Sequence, residues 1–232
     1  TGVQTCALPI YGGPESQFAA HWRGDLQALL ARGWTVLAPN VRGSSGYGRG
    51  WMAADDREKR MDALRDLKAV RDWLGAQPGL DPTRLAVGGQ SYGGFMTLAA
   101  LSEYPEDWKV GVDLYGFADF IREIETTGPW RRRLRAAEYG DAFSEADRPM
   151  LRAFSPVHRL DRVRAPLFIA HGLEDPRVPP GESETVATLL RGRGHPYELL
   201  RVAGEGHGWA RRTNRDRVAS AMMSFLERWI DA

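Results

Sequence analysis

The stretch RLAVGGQSYGGFMTLAAL, residues 84–101, places a single serine, Ser91, between Gly89 and Gly93. An apolar run leads into it and an alanine- and leucine-rich run leaves it. One reading is a glycine-rich turn from strand to helix in which Ser91 only caps the helix. The other is a strained, exposed turn from which the serine hydroxyl attacks a substrate. Both readings share strand, turn and helix, so the stretch sets the fold class before it sets the chemistry.

Outward from that turn the pattern alternates. Residues 18–33 read as a helix stopped by Gly33, and WTVLAPN (34–40) as a short strand ending in a Pro-Asn turn. A glycine-rich loop, VRGSSGYGRGW, precedes an amphipathic helix over 61–77. DPTRLAVGG (81–89) is the second strand, followed by a helix to about Glu103. Strands follow at 109–116, 165–172 and 196–204, with helices at 181–192 and 214–230. Residues 117–160 break the rhythm and read as an inserted helical segment over the sheet. Such alternation predicts one α/β domain with a doubly wound, mostly parallel sheet, whose ligands bind beyond the carboxyl ends of the strands.

The bulk properties exclude several alternatives. The 232 residues are 43% hydrophobic, enough for one substantial core, and the net charge is +1. No long-range field points to nucleic acid or an anionic membrane, and no apolar run approaches the ~18 residues of a span. The basic run WRRRLR (130–135) reads as solvated or ion-paired surface. RGSSGYGRG has neither Gly-x-Gly-x-x-Gly nor a Gly-Lys-Ser/Thr end, which argues against nucleotide binding; no His-Glu-x-x-His or other metal motif stands out.

The first ten residues, TGVQTCALPI, match the in-frame translation of a common sequencing adapter, so they are expected to be non-native and excluded from fold reasoning. Cys6, the only cysteine, belongs to them, so the native portion carries no disulfide or thiol chemistry. The adapter's last base would open the codon of residue 11, leaving the native identity of Tyr11 open. A cytoplasmic setting is the expectation.

A serine alone is a weak nucleophile; it needs a base within hydrogen-bond reach and a group that orients that base. LFIAHGLEDPRVP ends a strand and places Asp175 beyond it. VAGEGHGWA ends the last strand with His207 between Gly206 and Gly208. The order Ser, Asp, His is that of α/β-hydrolases. His171, which directly follows an apolar strand, reads as a structural histidine, as do His21, His158 and His195. Glu174 is the rival to Asp175 for the acid.

Together YGGPESQ, APNVRGSSGYG, GQSYGGF, HGLEDPRVP and GEGHG resemble the catalytic α/β-hydrolase domain of the prolyl oligopeptidase family, particularly acylaminoacyl-peptidase-like bacterial members. The resemblance spans nearly all of 11–232. It implies a serine peptidase acting on short peptides or acylated and aminoacyl amides without a cofactor. Ser91 would be nucleophile, Asp175 acid and His207 general base. Arg177 matches an arginine that in some relatives contacts a substrate carbonyl. One oxyanion donor would be the Tyr92 N–H. The second would be the Tyr11 hydroxyl or the Gly13 N–H, with the overwritten codon tipping the choice to Gly13. Tyr115 and Phe117 either line an apolar substrate pocket or are core aromatics. A carboxylesterase using the same triad, or a non-catalytic binding module on the same shell, are the other readings.

Relatives of this kind carry a β-propeller domain upstream, and the strand leading into GGP lies in mid-sheet, between the strands at 34–39 and 84–89. Only adapter-derived residues remain for that slot. CALPI is apolar enough to fill it, but Pro9 lacks the N–H that a central strand donates. The expectation is a sheet with unpaired backbone at its centre, and hence a chain that folds poorly.

Overall fold

A computed structural model describes residues 3–7, 13–19 and 22–232, the first five through their backbone alone. Its strands are β1 (Val3–Ala7), β2 (Trp34–Leu37), β3 (Leu80–Gln90), β4 (Val110–Leu114), β5 (Leu167–Gly172) and β6 (Tyr197–Val202). They form one sheet in the order β2-β1-β3-β4-β5-β6 with every pair parallel. The helices are α1 (Gly24–Leu30), α2 (Arg49–Met52), α3 (Asp62–Gly75), α4 (Tyr92–Glu103), α5 (Phe120–Thr126), α6 (Pro129–Glu138), α7 (Arg148–Phe154), α8 (Gly181–Gly192) and α9 (Arg212–Ile230).

Strand side chains alternate between two apolar clusters, one on each face. Leu85, Val87, Leu167 and Ile169 join α3, α4 and α8 on one side. Ala86, Val110, Val112, Phe168 and Ala170 join α1 and α9 on the other. With both faces covered, the inner stretches Leu85–Gly89, Val110–Val112 and Leu167–Ala170 are buried and apolar, as expected of parallel strands at the centre of a sheet. Between β4 and β5 the insertion is helical as the composition suggests: Phe120 of α5, Tyr139 just after α6 and Phe154 of α7 pack in the first cluster.

Two expectations are corrected. The helix drawn over 18–33 is only Gly24–Leu30. Upstream of it the chain is held by Asn40, whose Oδ1 accepts from Phe18 N–H at 2.7 Å and whose Nδ2 donates to Phe18 O at 3.3 Å. A side chain from the next turn thus outcompetes helix propensity there. The central slot is not left unpaired: Val3–Ala7 lies parallel to β2 on one side and β3 on the other. Cys6 and Ala7, the first two residues of CALPI, are part of this strand, and ladder pairing is a property of backbone more than of side chains. Pro9 lies outside the described residues.

The chain leaves β1 toward β2 and then returns to the other side of β1 for β3, so strand order reverses there. Such a switch point opens a crevice at the carboxyl ends of the strands. Ser91 follows β3 at that rim; Asp175 and His207 follow β5 and β6.

Candidate active site

Ser91 is the residue between β3 and α4, with φ 55° and ψ −119°. A non-glycine residue in that region is strained by about 1–3 kcal/mol and persists only where its surroundings hold it. Here the restraint is explicit. Ser91 N–H donates to Leu114 O of β4 at 2.9 Å, and its carbonyl accepts from the N–H groups of Gly94 and Phe95. Close packing of strand on helix requires missing side chains: a Cβ at Gly89 would strike the Gly93 carbonyl, and one at Gly94 would strike Asp113 and Gly116. The turn therefore aims a serine; its side chain does not cap α4.

The three residues read from the sequence meet in one line. His207 Nε2 lies 2.8 Å from Ser91 Oγ, and His207 Nδ1 lies 2.7 Å from Asp175 Oδ2. Asp175 is buried, whereas its neighbour Glu174 is exposed, which separates the two rivals. Burial works to raise the Asp175 pKa, but hydrogen bonds from His171 and His207, the charge of His207 and the Arg177 N–H outweigh it. Asp175 is thus held well below the usual carboxylate range and stays ionised. An ionised carboxylate only accepts, so His207 carries its hydrogen on Nδ1 and presents the Nε2 lone pair to Ser91.

The loops that deliver these groups are themselves pinned. Asp175 Oδ1 accepts from the N–H groups of Arg177 at 2.8 Å and Val178 at 3.0 Å, closing an Asx-type turn. His171, buried in β5, has Nε2 2.9 Å from Val178 O and 3.4 Å from Asp175 Oδ2, with Nδ1 2.6 Å from Ser183 Oγ. It is structural, as read, and it also touches the acid. His195 is likewise structural, with Nε2 2.9 Å from Ala165 O, and burial lowers the pKa of both His195 and His158. His21 lies outside the described residues. Glu205, to which the sequence reading assigns no role, is buried and accepts from Ala210 N–H, Arg211 N–H and Asn214 Nδ2, tying the His207 loop to the start of α9. An acid between the glycines of VAGEGHG was its only signal.

Tyr92 lies in the first turn of α4, where the helix itself supplies no acceptor for the backbone N–H. Its ring is buried, and its hydroxyl accepts from Arg60 Nη1 at 3.0 Å. Arg60, fully buried, also pairs with Asp55 and donates to Glu138 O. Gly13 does not fit the donor role expected of it as it stands: its N–H donates to Ser16 Oγ at 3.0 Å, within its own loop. Tyr11 lies outside the described residues. Arg177 is exposed at the rim. Tyr115 and Phe117 are 5% and 3% exposed, so neither ring presents an open pocket wall. Phe117 stacks on Phe95 at 5.4 Å between ring centres; Tyr115 stands against His207.

A parallel sheet with a strained serine after β3 and acid and base after β5 and β6 defines the α/β-hydrolase class. More specifically, the sequence profile of the prolyl oligopeptidase family matches residues 20–232, and the chain belongs to that family. It is 31% identical over 222 residues to dipeptidyl aminopeptidase BIII of Pseudoxanthomonas mexicana, covering 94% of this chain and 32% of that protein. It is 26% identical over 208 residues to the acylamino-acid-releasing enzyme of Homo sapiens, covering 86% and 28%. A puromycin-hydrolyzing peptidase of Mycobacterium tuberculosis superposes with a TM-score of 0.91 at 27% identity, covering 99% of this chain and 35% of that one. The chain spans about a third of the length of these relatives. Among the described residues no helix is long and apolar enough to cross a membrane.

Proposed function

We propose that residues 11–232 are the catalytic domain of a longer serine peptidase that cleaves short peptides or acylated and aminoacyl amides through an acyl-enzyme on Ser91. The observation that carries this reading is the unbroken line Ser91–His207–Asp175, with the serine in a strained turn. In this mechanism His207 Nε2 takes the Ser91 proton as Oγ attacks the carbonyl, then returns it to the leaving amine. Asp175 keeps the imidazole in the required tautomer and stabilises the imidazolium. The Tyr92 N–H faces the developing oxyanion, with the second donor supplied from the loop around Tyr11 and Gly13. Arg177, two residues past the acid, suits a substrate carbonyl. Water then repeats the sequence on the acyl-enzyme. An upstream β-propeller that admits only small peptides completes the proposal, by analogy with the fuller length of the relatives, and a cytoplasmic setting goes with it.

The test uses the full open reading frame. A fluorophosphonate probe should label Ser91, and aminoacyl-nitroanilides should turn over. Turnover of short-chain nitrophenyl esters without any amide turnover would make the protein a carboxylesterase. Failure of the probe to label would leave a non-catalytic binding module.

A further inference from the structure

Tyr115 is one of three described non-glycine residues with positive φ, at 44°, and it is not the nucleophile. A bulky residue there stores strain, and such strain points to a job done by the side chain. The ring is T-shaped against the His207 imidazole, with centres 5.0 Å apart at 64°, and T-shaped against the Trp209 indole at 5.2 Å and 76°. The Tyr115 hydroxyl donates to Gln90 Oε1 at 2.5 Å, and Gln90 immediately precedes Ser91. The Tyr115 N–H donates to Ala170 O of β5 at 2.8 Å, so the backbone is anchored in the sheet. One residue therefore grips the segment before the nucleophile, the ring of the base and the loop that carries the base.

The need for this grip is visible beside it. Gln90, Leu114 and Trp209 line a cavity of about 760 Å³ whose floor includes Val218 and Met222. Trp209, two residues past His207, borders this space, so on that side the His207 loop is backed by the Tyr115 ring. Oxygen-to-nitrogen geometry at the triad is fixed by two hydrogen bonds that lie in the imidazole plane, and these do not resist tilting of the ring. An edge-to-face aromatic contact does, and is worth about 0.5–1.5 kcal/mol beyond buried area.

Resting on the peptidase reading above, we propose that Tyr115 is a positioning residue: its ring, held in a strained backbone conformation, keeps the His207 imidazole aligned between Asp175 and Ser91. It touches no substrate. The strain is retained because a relaxed backbone would swing the ring off the imidazole.

Three variants of the full open reading frame test this, with kcat expressed per fluorophosphonate-labelled site. Tyr115→Ala should lower kcat per site by about tenfold to a hundredfold, the cost of a misplaced catalytic group, with KM changed less than about threefold. Tyr115→Asn tolerates positive φ better and removes the ring, so it should fold at least as readily and show the same kcat loss. Tyr115→Phe keeps the ring and should recover most of the rate, losing a few-fold with the Gln90 bond. Unchanged kcat per site in the Ala and Asn variants, with only less labelled protein, would make Tyr115 a packing residue. A raised KM at constant kcat would make it a substrate wall; either result overturns the proposal. An unlabelled wild-type protein would instead sink the peptidase reading itself.

Discussion

Asp175 receives His207 Nδ1 at 2.7 Å on the same oxygen that faces His171 Nε2 at 3.4 Å, while its other oxygen holds two backbone N–H groups. That satisfied carboxylate fixes Asp175 and orients the His207 ring, and in the proposed mechanism Ser91 is the group that reacts. A depressed carboxylate pKa stabilises the fold at pH values above its unfolded range, and that contribution is lost as pH falls through the depressed value. At working pH the acid stays ionised. Ser91→Ala is expected to lower kcat by about 10⁶, with His207→Ala similar, because triad members act as a unit. Asp175→Asn should cost about 10⁴, since it chiefly disturbs the tautomer. Nitroanilide turnover on variants with wild-type circular dichroism measures both, and a Ser91→Ala protein with most of its activity would refute the nucleophile assignment.

Among the elements, β1 matters most, since Val3–Ala7 hydrogen-bonds to strands on both sides at the switch point. Removing it would leave facing backbone groups of β2 and β3 buried or badly paired, at about 1–3 kcal/mol each. A domain's whole stability is only about 5–15 kcal/mol. A chain lacking residues 1–7 should therefore show no cooperative melting by circular dichroism. Melting near the temperature of the 232-residue chain would mean that the sheet tolerates an empty centre.

For the whole molecule, burial of charge sets the response to pH. Glu123 of α5 is 5% exposed and its Oε2 has no hydrogen-bond partner among the described residues. Burial raises its pKa from 4.5 to about 8, opposed by Arg131 and Arg135 and reinforced by Glu182 and Asp175. A raised acid binds more protons in the folded state than in the unfolded one between those two values. Stability from this group is thus full below about pH 4.5 and declines as pH rises toward 8. Glu123→Gln, neutral throughout, should flatten the pH dependence of Tm between pH 5 and 8 relative to wild type. It should also stabilise the protein at pH 8, by at most a few kcal/mol. Parallel Tm–pH curves for the two proteins would show that Glu123 is charged and compensated.

The alternation of apolar runs with helical spacing was enough to predict a doubly wound parallel sheet, because side-chain periodicity is a local property of the chain. Ser91, Asp175 and His207 were legible for a related reason: each follows a strand, and each carries a glycine or turn signature written in adjacent residues. What neighbours far apart in sequence do to one another was not legible. Asn40 shortens α1 by binding Phe18; Ser16 occupies the Gly13 N–H; Val3–Ala7, which takes in the first two residues of CALPI, pairs in the mid-sheet slot. Tyr115 reads in sequence as a pocket wall or a core ring, and only the packing of β4, β5 and the His207 loop sets it against the imidazole. Local pattern decides which elements form and which groups sit at their ends. Direction, partner and strain are decided by contacts that exist only once the sheet has closed.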